Sequence, residues 1–146
     1  MLRKLSIRSN SLNVTIHASL AYCTRPLSVF LQYNSLSGKL PPEMRNLTSL
    51  EVFNVAGNRL SGEISVGFPS SLKFLVILSN TFFGQIPSGL ANLTQLQLLD
   101  LSYNQLTGEI PGSLVHLSAS ENEIGGVIPA AYGALPKLEG EYFFNY

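Results

Sequence analysis

The sequence predicts an α/β-type solenoid, in which short strands stack into one parallel sheet on a concave face and the convex side is mostly irregular or 3-10 helical. Asparagine, any residue and then an apolar residue recur six times along the 146 residues. In most copies, apolar residues stand eight, five and three positions before the asparagine. One structural unit repeated along an axis requires such a fixed register. The asparagines are Asn10, Asn34, Asn58, Asn80, Asn104 and Asn122.

The apolar residues five and three positions before each asparagine predict a short strand. Their period of two places both side chains on the same side of the strand. In the most regular copy they are Leu99 and Leu101, ahead of Asn104. A single unit cannot bury this pair alone, but stacked units bury all of the pairs as one apolar column. The alternate residues of each strand then face outward on the concave sheet.

The residues after each strand predict a repeated turn. The asparagine side chain carries both an amide donor and a carbonyl acceptor, so a row of asparagines can satisfy backbone groups at the bend. A glycine follows four residues later in most copies, where the missing Cβ permits a positive φ. Proline then follows at plus seven in several copies, which suits irregular backbone because proline has no amide donor. The glycines are Gly38, Gly62, Gly84, Gly108 and Gly126.

These runs resemble the plant-type leucine-rich repeat, LxxLxLxxNxLSGxIPxxLxxL. Residues 34–41 read Asn-Ser-Leu-Ser-Gly-Lys-Leu-Pro, and residues 98–104 read Leu-Leu-Asp-Leu-Ser-Tyr-Asn. The resemblance covers essentially the whole chain and is strongest to the ectodomains of plant leucine-rich-repeat receptor-like kinases. It implies a non-catalytic module that recognises a ligand or a protein in cell-surface signalling, as a fragment of such an ectodomain. The alternative is a soluble or truncated repeat protein, such as an inhibitor of polygalacturonases in plant defence or a non-functional remnant.

The resemblance also implies partners and a compartment. The partners would be a peptide, small-molecule or protein ligand and a co-receptor ectodomain, with no cofactor. The parent protein would lie at the extracellular face of the plasma membrane, with its membrane helix and serine/threonine kinase outside this chain. Asn13, Asn46 and Asn92 begin sequons, which accept glycans only on the secretory route. The apolar runs are far below the roughly 20 residues of a membrane helix, so we expect no spanning helix and no membrane contact in this segment. Because Leu2, Leu5 and Ile7 already occupy repeat positions, we also expect no signal peptide.

The chain is expected to form a single repeat array over residues 1–146, with about six repeats and no cap at either end. One interval is irregular, because Asn122 follows Asn104 by 18 residues where the other asparagines are 22 or 24 apart. Either this coil, residues 105–122, closes tightly on its convex side, or parts of two repeats have been joined there through a shortened transcript or gene model. We favour the join.

The outward strand positions supply the candidate binding residues. Tyrosine and arginine are enriched among the residues that dominate interface energy. We therefore predict apolar contacts from Phe30, Tyr33, Phe74, Val76 and Tyr103, and polar or orienting contacts from Arg3, Arg8, Asn54 and Asp100.

Charge and motifs exclude several other functions. A formal net charge of zero argues against binding nucleic acid through bulk charge. The sequence contains no phosphate-binding loop, nucleophile elbow, kinase signature or metal-ligand motif, so we predict no enzyme and no metal site. His17 and His116 are isolated from each other, and His17 takes the place of the usual proline. Cys23 is the single cysteine, and we expect it to behave as a small buried hydrophobe.

Overall fold

The computed structural model describes residues 3–23, 27–64, 67–114 and 116–134. These residues form six successive coils, each carrying one of the six asparagines, and we number the coils 1 to 6 from Asn10 to Asn122. One strand of each coil lies in a six-stranded parallel sheet, in which the strands follow one another in chain order. The strands are Lys4–Ser6, Ser28–Phe30, Val52–Asn54, Phe74–Val76, Leu98–Asp100 and Leu117–Ser118. The predicted solenoid with a parallel sheet is confirmed.

The strands pair in the register of the sequence pattern. Phe53 lies between Val29 of coil 2 and Leu75 of coil 4, and all three stand five residues before an asparagine. These side chains are fully buried, as are those of Val55 and Ile77, two residues farther along their strands. Burial of such a side chain stabilises a fold by about 1.5 to 3 kcal/mol. Stacking of the coils, which completes this burial, therefore supplies much of the stability.

The asparagines form a ladder of hydrogen bonds that ties each coil to the one before it. The Asn80 Nδ2 donates to the carbonyl of Ile77 in its own coil at 3.0 Å and to that of Val55 in coil 3 at 3.0 Å. Its Oδ1 accepts from the backbone N–H of Leu60, also in coil 3, at 3.0 Å. The same three kinds of bond recur at Asn34, Asn58, Asn104 and Asn122.

A second parallel sheet follows the ladder, and the sequence did not predict it. It has five strands, again one per coil in chain order. A further bridge joins Thr15 of coil 1 to Ser37 of coil 2. The strands are Ser37–Gly38, Arg59–Glu63, Thr81–Gln85, Gln105–Gly108 and Glu123–Ile124. The chain therefore has sheet on two of its sides, with the convex segments on a third.

Glycine recurs within the second sheet, and at Gly126 just after its last strand, for two reasons. All five have positive φ, between 77° and 94°. Each is also covered by a side chain from the preceding coil. At Gly84, for example, a Cβ would stand 3.0 Å from the Cγ of Glu63. Because a real Cβ would both strain the backbone and displace that neighbour, glycine is required here.

The convex side carries short 3-10 helices in four coils, at Ala18–Tyr22, Pro42–Asn46, Ser88–Asn92 and Ala130–Ala134. Pro41 and Pro87 stand at the N-caps of two of them, and His17 takes the equivalent position in coil 1. The His17 Nδ1 accepts from the backbone N–H of Ser19 at 3.1 Å. The predicted exchange of histidine for proline thus has a structural reason, since this side chain caps the helix.

Coils 3 and 5 have no convex helix among their described residues. In coil 5, which is the short interval, Leu114 donates to the carbonyl of Pro111 at 3.3 Å in a simple turn. The chain then enters the next concave strand, and Asn122 still makes its ladder bonds to coil 5. The coil therefore closes tightly on its convex side. The join of two repeats remains a prediction, because a tight closure fits either origin.

Burial is deepest in coils 2 to 5. At the two ends, apolar side chains are more open, as at Ile7 in coil 1 and at Val127 and Ile128 in coil 6. Cys23 is exposed, so its prediction as a buried hydrophobe is wrong. It lies just after the first convex helix, where the repeat pattern sets no inward position. No helix within the described residues is both long enough and apolar enough to cross a bilayer.

Candidate ligand-binding surface

The concave face is built from the outward residues of the first sheet. We define it as the residues seven, six, four, two and one positions before each ladder asparagine. Strand pairing aligns these residues in rows across the coils. One row, for example, runs through Phe30, Asn54, Val76 and Asp100. Side chains from neighbouring coils therefore lie next to one another on this face, although about 22 to 24 residues separate them in sequence.

Tyr33 and Tyr103 are the most exposed aromatic side chains on the concave face, at 48% and 57%. Both stand directly before a ladder asparagine and have positive φ, 58° and 54°. The same backbone form recurs at this position in every coil, so it belongs to the repeat. The ring of Tyr33 also lies over Gly57 of the next coil, where a Cβ would stand 2.7 Å from its Cδ1. One side of the Tyr33 ring is thus packed against Gly57, and the other side is exposed to solvent.

Four more of the predicted contact residues are accessible on this face. Phe30 and Phe74 are half-buried, and Arg3 and Arg8 are exposed. The Lys4 ammonium lies 5.2 Å from the centroid of the Phe30 ring, within cation–π range. The structure therefore brings Arg3, Arg8 and Phe30 together with Lys4 at the coil 1 end of the face, and it places Phe74 in the middle.

Three predicted residues have other roles. Val76 and Asp100 lie in the expected row but are only 6% and 8% exposed, because neighbouring coils flank them. The Asp100 Oδ1 accepts from the backbone N–H of Ser102 at 3.1 Å. In the same way, the Oδ1 of half-buried Asn54 accepts from Ala56 at 3.0 Å. We therefore correct the prediction for Val76 and Asp100, which form the floor of the face rather than its contact surface.

Gln32 holds an outward position that the sequence places on this face, but it was not among the predicted contact residues. It is 7% exposed, and its Oε1 is the one buried side-chain acceptor among the described residues that has no hydrogen-bond partner. Such a group costs about 1 to 3 kcal/mol. Strand register places Gln32 between Arg8 of coil 1 and Ala56 of coil 3. The sequence pattern gives its position but not its burial, since that depends on the sizes of side chains in adjacent coils.

The charges that the structure describes show no site for acid–base chemistry or metal binding. Lys73 and Glu51 form an ion pair across coils 3 and 4, with Nζ and Oε2 3.1 Å apart. Within the described segments, no three histidine, cysteine or carboxylate side chains cluster as metal ligands would. Burial raises the pKa of the Tyr132 hydroxyl, which donates to the carbonyl of Pro111 at 3.3 Å. That contact joins coil 6 to coil 5 on the convex side and lies away from the concave face.

A hollow of about 400 Å³ lies on the convex side, between coils 3 and 4. It is lined by Ile64, Phe68, Leu90, Asn92 and Leu93, among others. The hollow borders the part of coil 3 where the convex helix is missing.

The concave face is an open sheet, and enclosure is the usual feature of small-molecule sites. The concave face therefore suits an extended polymer better than a small molecule.

The three sequon asparagines are exposed. Asn46 and Asn92 are each the last residue of a convex 3-10 helix, and Asn13 follows the ladder turn of coil 1. None of them lies on the concave face. Glycans at these positions would leave that face open.

Comparisons with known proteins agree with this geometry. A family model of the leucine rich repeat matches residues 49–70 and 95–117. The ectodomain of the Arabidopsis thaliana membrane receptor kinase GASSHO1/SCHENGEN3, solved with CASPARIAN STRIP INTEGRITY FACTOR 2, is similar at 34% identity and a TM-score of 0.83. The match covers 91% of this chain and 17% of that one.

Two further solved structures bear on binding. The Arabidopsis receptor kinase HAESA, in complex with the peptide hormone IDA and the co-receptor SERK1, matches at 30% identity and a TM-score of 0.82, over 86% of this chain and 22% of that chain. A chain of the BIR3–SERK2 complex from Arabidopsis thaliana matches at 31% identity and a TM-score of 0.73, over 84% of this chain and 69% of that chain. This chain thus spans about a fifth of the length of the two receptors.

Proposed function

Because the chain belongs to the leucine-rich repeat family, in the form that builds plant receptor-kinase ectodomains, we propose that it is a recognition module whose concave face binds a peptide or protein ligand. Since one fold supports many functions, the function of this chain depends on its surface.

The observation that carries the proposal is the placement of Tyr33 and Tyr103. Both rings are held on the concave face by the repeat backbone and are open to solvent. Phe30 and Phe74 lie on the same face, so aromatic area is present in coils 2, 4 and 5. Aromatic side chains give large contact area at low entropic cost and are frequent hot spots. Similar ectodomains are known in complex with a peptide hormone and a co-receptor, which supports a peptide as ligand and a second ectodomain as partner.

The proposal extends to the parent protein. This segment would act at the extracellular face of the plasma membrane, with its membrane helix and kinase elsewhere in the parent protein. Asn13, Asn46 and Asn92 would carry glycans, and their exposure away from the concave face supports that role. No feature of the described surface favours the alternative of an enzyme inhibitor or a remnant.

Selection from a displayed library of random peptides tests the proposal. The chain is produced through a secretory pathway and immobilised, and the affinities of the selected peptides are measured. We expect the double variant Tyr33→Ala/Tyr103→Ala to lower those affinities about tenfold or more, as loss of interface hot spots does.

The matched control is Tyr22→Ala/Phe83→Ala. Tyr22 on the convex side and Phe83 in the second sheet are also exposed aromatics, at 82% and 45%, but neither is on the concave face. The control should change affinity less than about twofold, as contacts outside an interface do. Selected peptides that depended on Tyr22 or Phe83, and were indifferent to the two tyrosines of the concave face, would refute the proposed binding surface.

A further inference from the structure

The charges of the concave face are separated along the solenoid. Coil 1 presents three cations, Arg3, Lys4 and Arg8, and no carboxylate. Coils 5 and 6 present two carboxylates, Asp100 and Glu121, and no cation among their described concave residues. The sequence has no net charge, so this face has a basic end and an acidic end that the overall balance conceals.

The two ends are far enough apart to act separately. Six parallel strands at a spacing of about 4.8 Å place coil 1 about 24 Å from coil 6. The Debye length at physiological ionic strength is about 8 Å. A ligand charge above coil 1 therefore interacts with the cations there and is largely screened from the carboxylates at the other end.

The cations of the basic end are available for an ion pair with a ligand. Arg3, Lys4 and Arg8 are exposed, and none of them forms an ion pair with a carboxylate that the structure describes. Lys73, in the middle of the face, is by contrast paired with Glu51. The acidic end is weaker, because Asp100 is buried and already accepts from Ser102, which leaves exposed Glu121 as its main charge.

The middle of the face carries apolar side chains beside the Lys73–Glu51 ion pair. Val52, Phe74, Leu78 and Leu98 from coils 3 to 5 are half-buried, so each offers part of its side chain to a ligand. Gln32 lies where the basic end meets this apolar middle. Its Oε1 has no hydrogen-bond partner but is itself buried, so Gln32, like Val76 and Asp100, belongs to the floor of the face rather than to its contact surface.

From this layout we propose that the ligand segment is an extended peptide with acidic residues at one end, apolar residues in the middle and its acidic end seated on coil 1. About seven extended residues, at about 3.3 Å each, span the six strands. A basic residue at the opposite end gains less, because Glu121 is the main free carboxylate there. The inference rests on the proposed function, since it assigns the chemistry of the peptide that the concave face binds.

The test repeats the peptide selection with a reversed basic end, Arg3→Glu/Lys4→Glu/Arg8→Glu. We expect peptides selected on the parent chain to carry clustered Asp and Glu at one end. The reversed variant should lower their affinity about tenfold or more, since like charges then face each other, and its own selection should enrich Lys and Arg at that end.

A variant with the same change of net charge serves as the control. Lys39→Glu/Arg45→Glu/Arg59→Glu changes three exposed cations that lie off the concave face. Glutamate already occupies the position equivalent to Lys39 in coils 3 and 5, as Glu63 and Glu109. This control should change affinity by less than about twofold, as charges away from an interface do in physiological salt.

The outcomes separate the two proposals. Peptides that need Tyr33 and Tyr103 but carry no clustered acid, or that bind the reversed variant equally well, overturn the charge assignment and leave the proposed binding surface intact. Peptides that do not need the two tyrosines overturn the proposed surface itself.

Gln32→Met adds a test of the buried acceptor. Methionine has a similar shape without the orphan oxygen, so we expect a melting temperature equal to or above that of the parent and a peptide affinity within about twofold of the parent, because the Oε1 is buried. A severalfold loss of affinity in this folded variant would contradict the assignment of Gln32 to the floor of the face.

Discussion

The segment from each concave strand to its asparagine has a constant length, whereas the segment that returns over the convex side does not. Leu75, Leu99 and Leu117 each precede a ladder asparagine by five positions. The return from Asn80 to Leu99 takes 19 positions, and the return from Asn104 to Leu117 takes 13. Both returns nevertheless deliver the next strand to the same register. The concave side thus sets the register of the coils, whereas the convex segment can vary in length as long as it returns the chain to the next strand.

Hydrogen bonding explains the difference. On the constant side, Asn80 and Asn104 bond to backbone groups of the preceding coil, so a shift of one residue would leave buried groups unpaired. On the convex side, bonds such as those from Met44 to Pro41 and from Leu47 to Met44 stay within one coil. Removal of such a segment takes its own bonds with it and leaves the neighbouring coils paired.

The largest expected effect on stability comes from the substitution of one asparagine of the ladder. Asn80→Ala removes an acceptor and a donor that serve Leu60, Val55 and Ile77, all within the core. Since each orphaned buried group costs about 1 to 3 kcal/mol, we expect a loss of about 3 to 5 kcal/mol in the free energy of unfolding. Urea denaturation followed by circular dichroism measures it.

Asn10→Ala is the matched control for that prediction. Asn10 is exposed, and its described side-chain bonds reach only carbonyls of its own coil. Its loss should cost no more than about 1 kcal/mol. Equal losses at Asn10 and Asn80 would mean that bonds between coils contribute nothing special.

The repeated positions were predictable from sequence, because each must align with the same position in the neighbouring coils. Asn80 and its apolar predecessors Leu75 and Ile77 lie where the pattern places them. The second sheet was not predictable from these signals, since strands such as Thr81–Gln85 contain the glycine that suggested a turn. That glycine keeps its turn-like φ and still pairs with its neighbours, because every coil adopts the same form.

The pattern also did not predict the burial of outward side chains by residues of adjacent coils. Asp100 and Gln32 have outward positions, yet adjacent coils bury both. Cys23 has no position in the pattern and is exposed. Enclosure on this face depends on side-chain sizes in coils about 24 residues away, and a repeat consensus does not specify them.

Alanine in place of two glycines, one on each side of the coil, should change stability by an intermediate amount and in opposite directions. Gly84 has φ of +82° and is covered by Glu63, whereas Gly89, in a convex helix, has open space where a Cβ would stand. Gly84→Ala should cost about 2 kcal/mol from the left-handed backbone and the contact. Gly89→Ala should instead stabilise by about 0.5 kcal/mol through the unfolded chain. Thermal and urea unfolding give both values.

The double variant Glu63→Ala/Gly84→Ala divides the cost at Gly84. If part of that cost is the overlap with Glu63, its removal should recover that part and leave the backbone strain. A destabilisation of the same size at Gly84 and Gly89 would contradict the distinction between the two sides.

The smallest effect is expected from lengthening the short return of coil 5. Insertion of Ser-Gly-Leu-Ala-Asn-Leu, the sequence of residues 88–93, after Pro111 restores the 24-residue interval found between Asn80 and Asn104. The closure entropy of a longer segment changes by only about 0.6 kcal/mol per doubling of length, and the added leucines can be buried. We therefore expect stability within about 1 kcal/mol of the parent. Amide exchange at Leu106, whose N–H donates to Asn122 Oδ1 at 2.9 Å, should stay as slow as before, because that bond belongs to the constant side. Fast exchange at Leu106, or a loss as large as that of Asn80→Ala, would show that the convex length also sets the register.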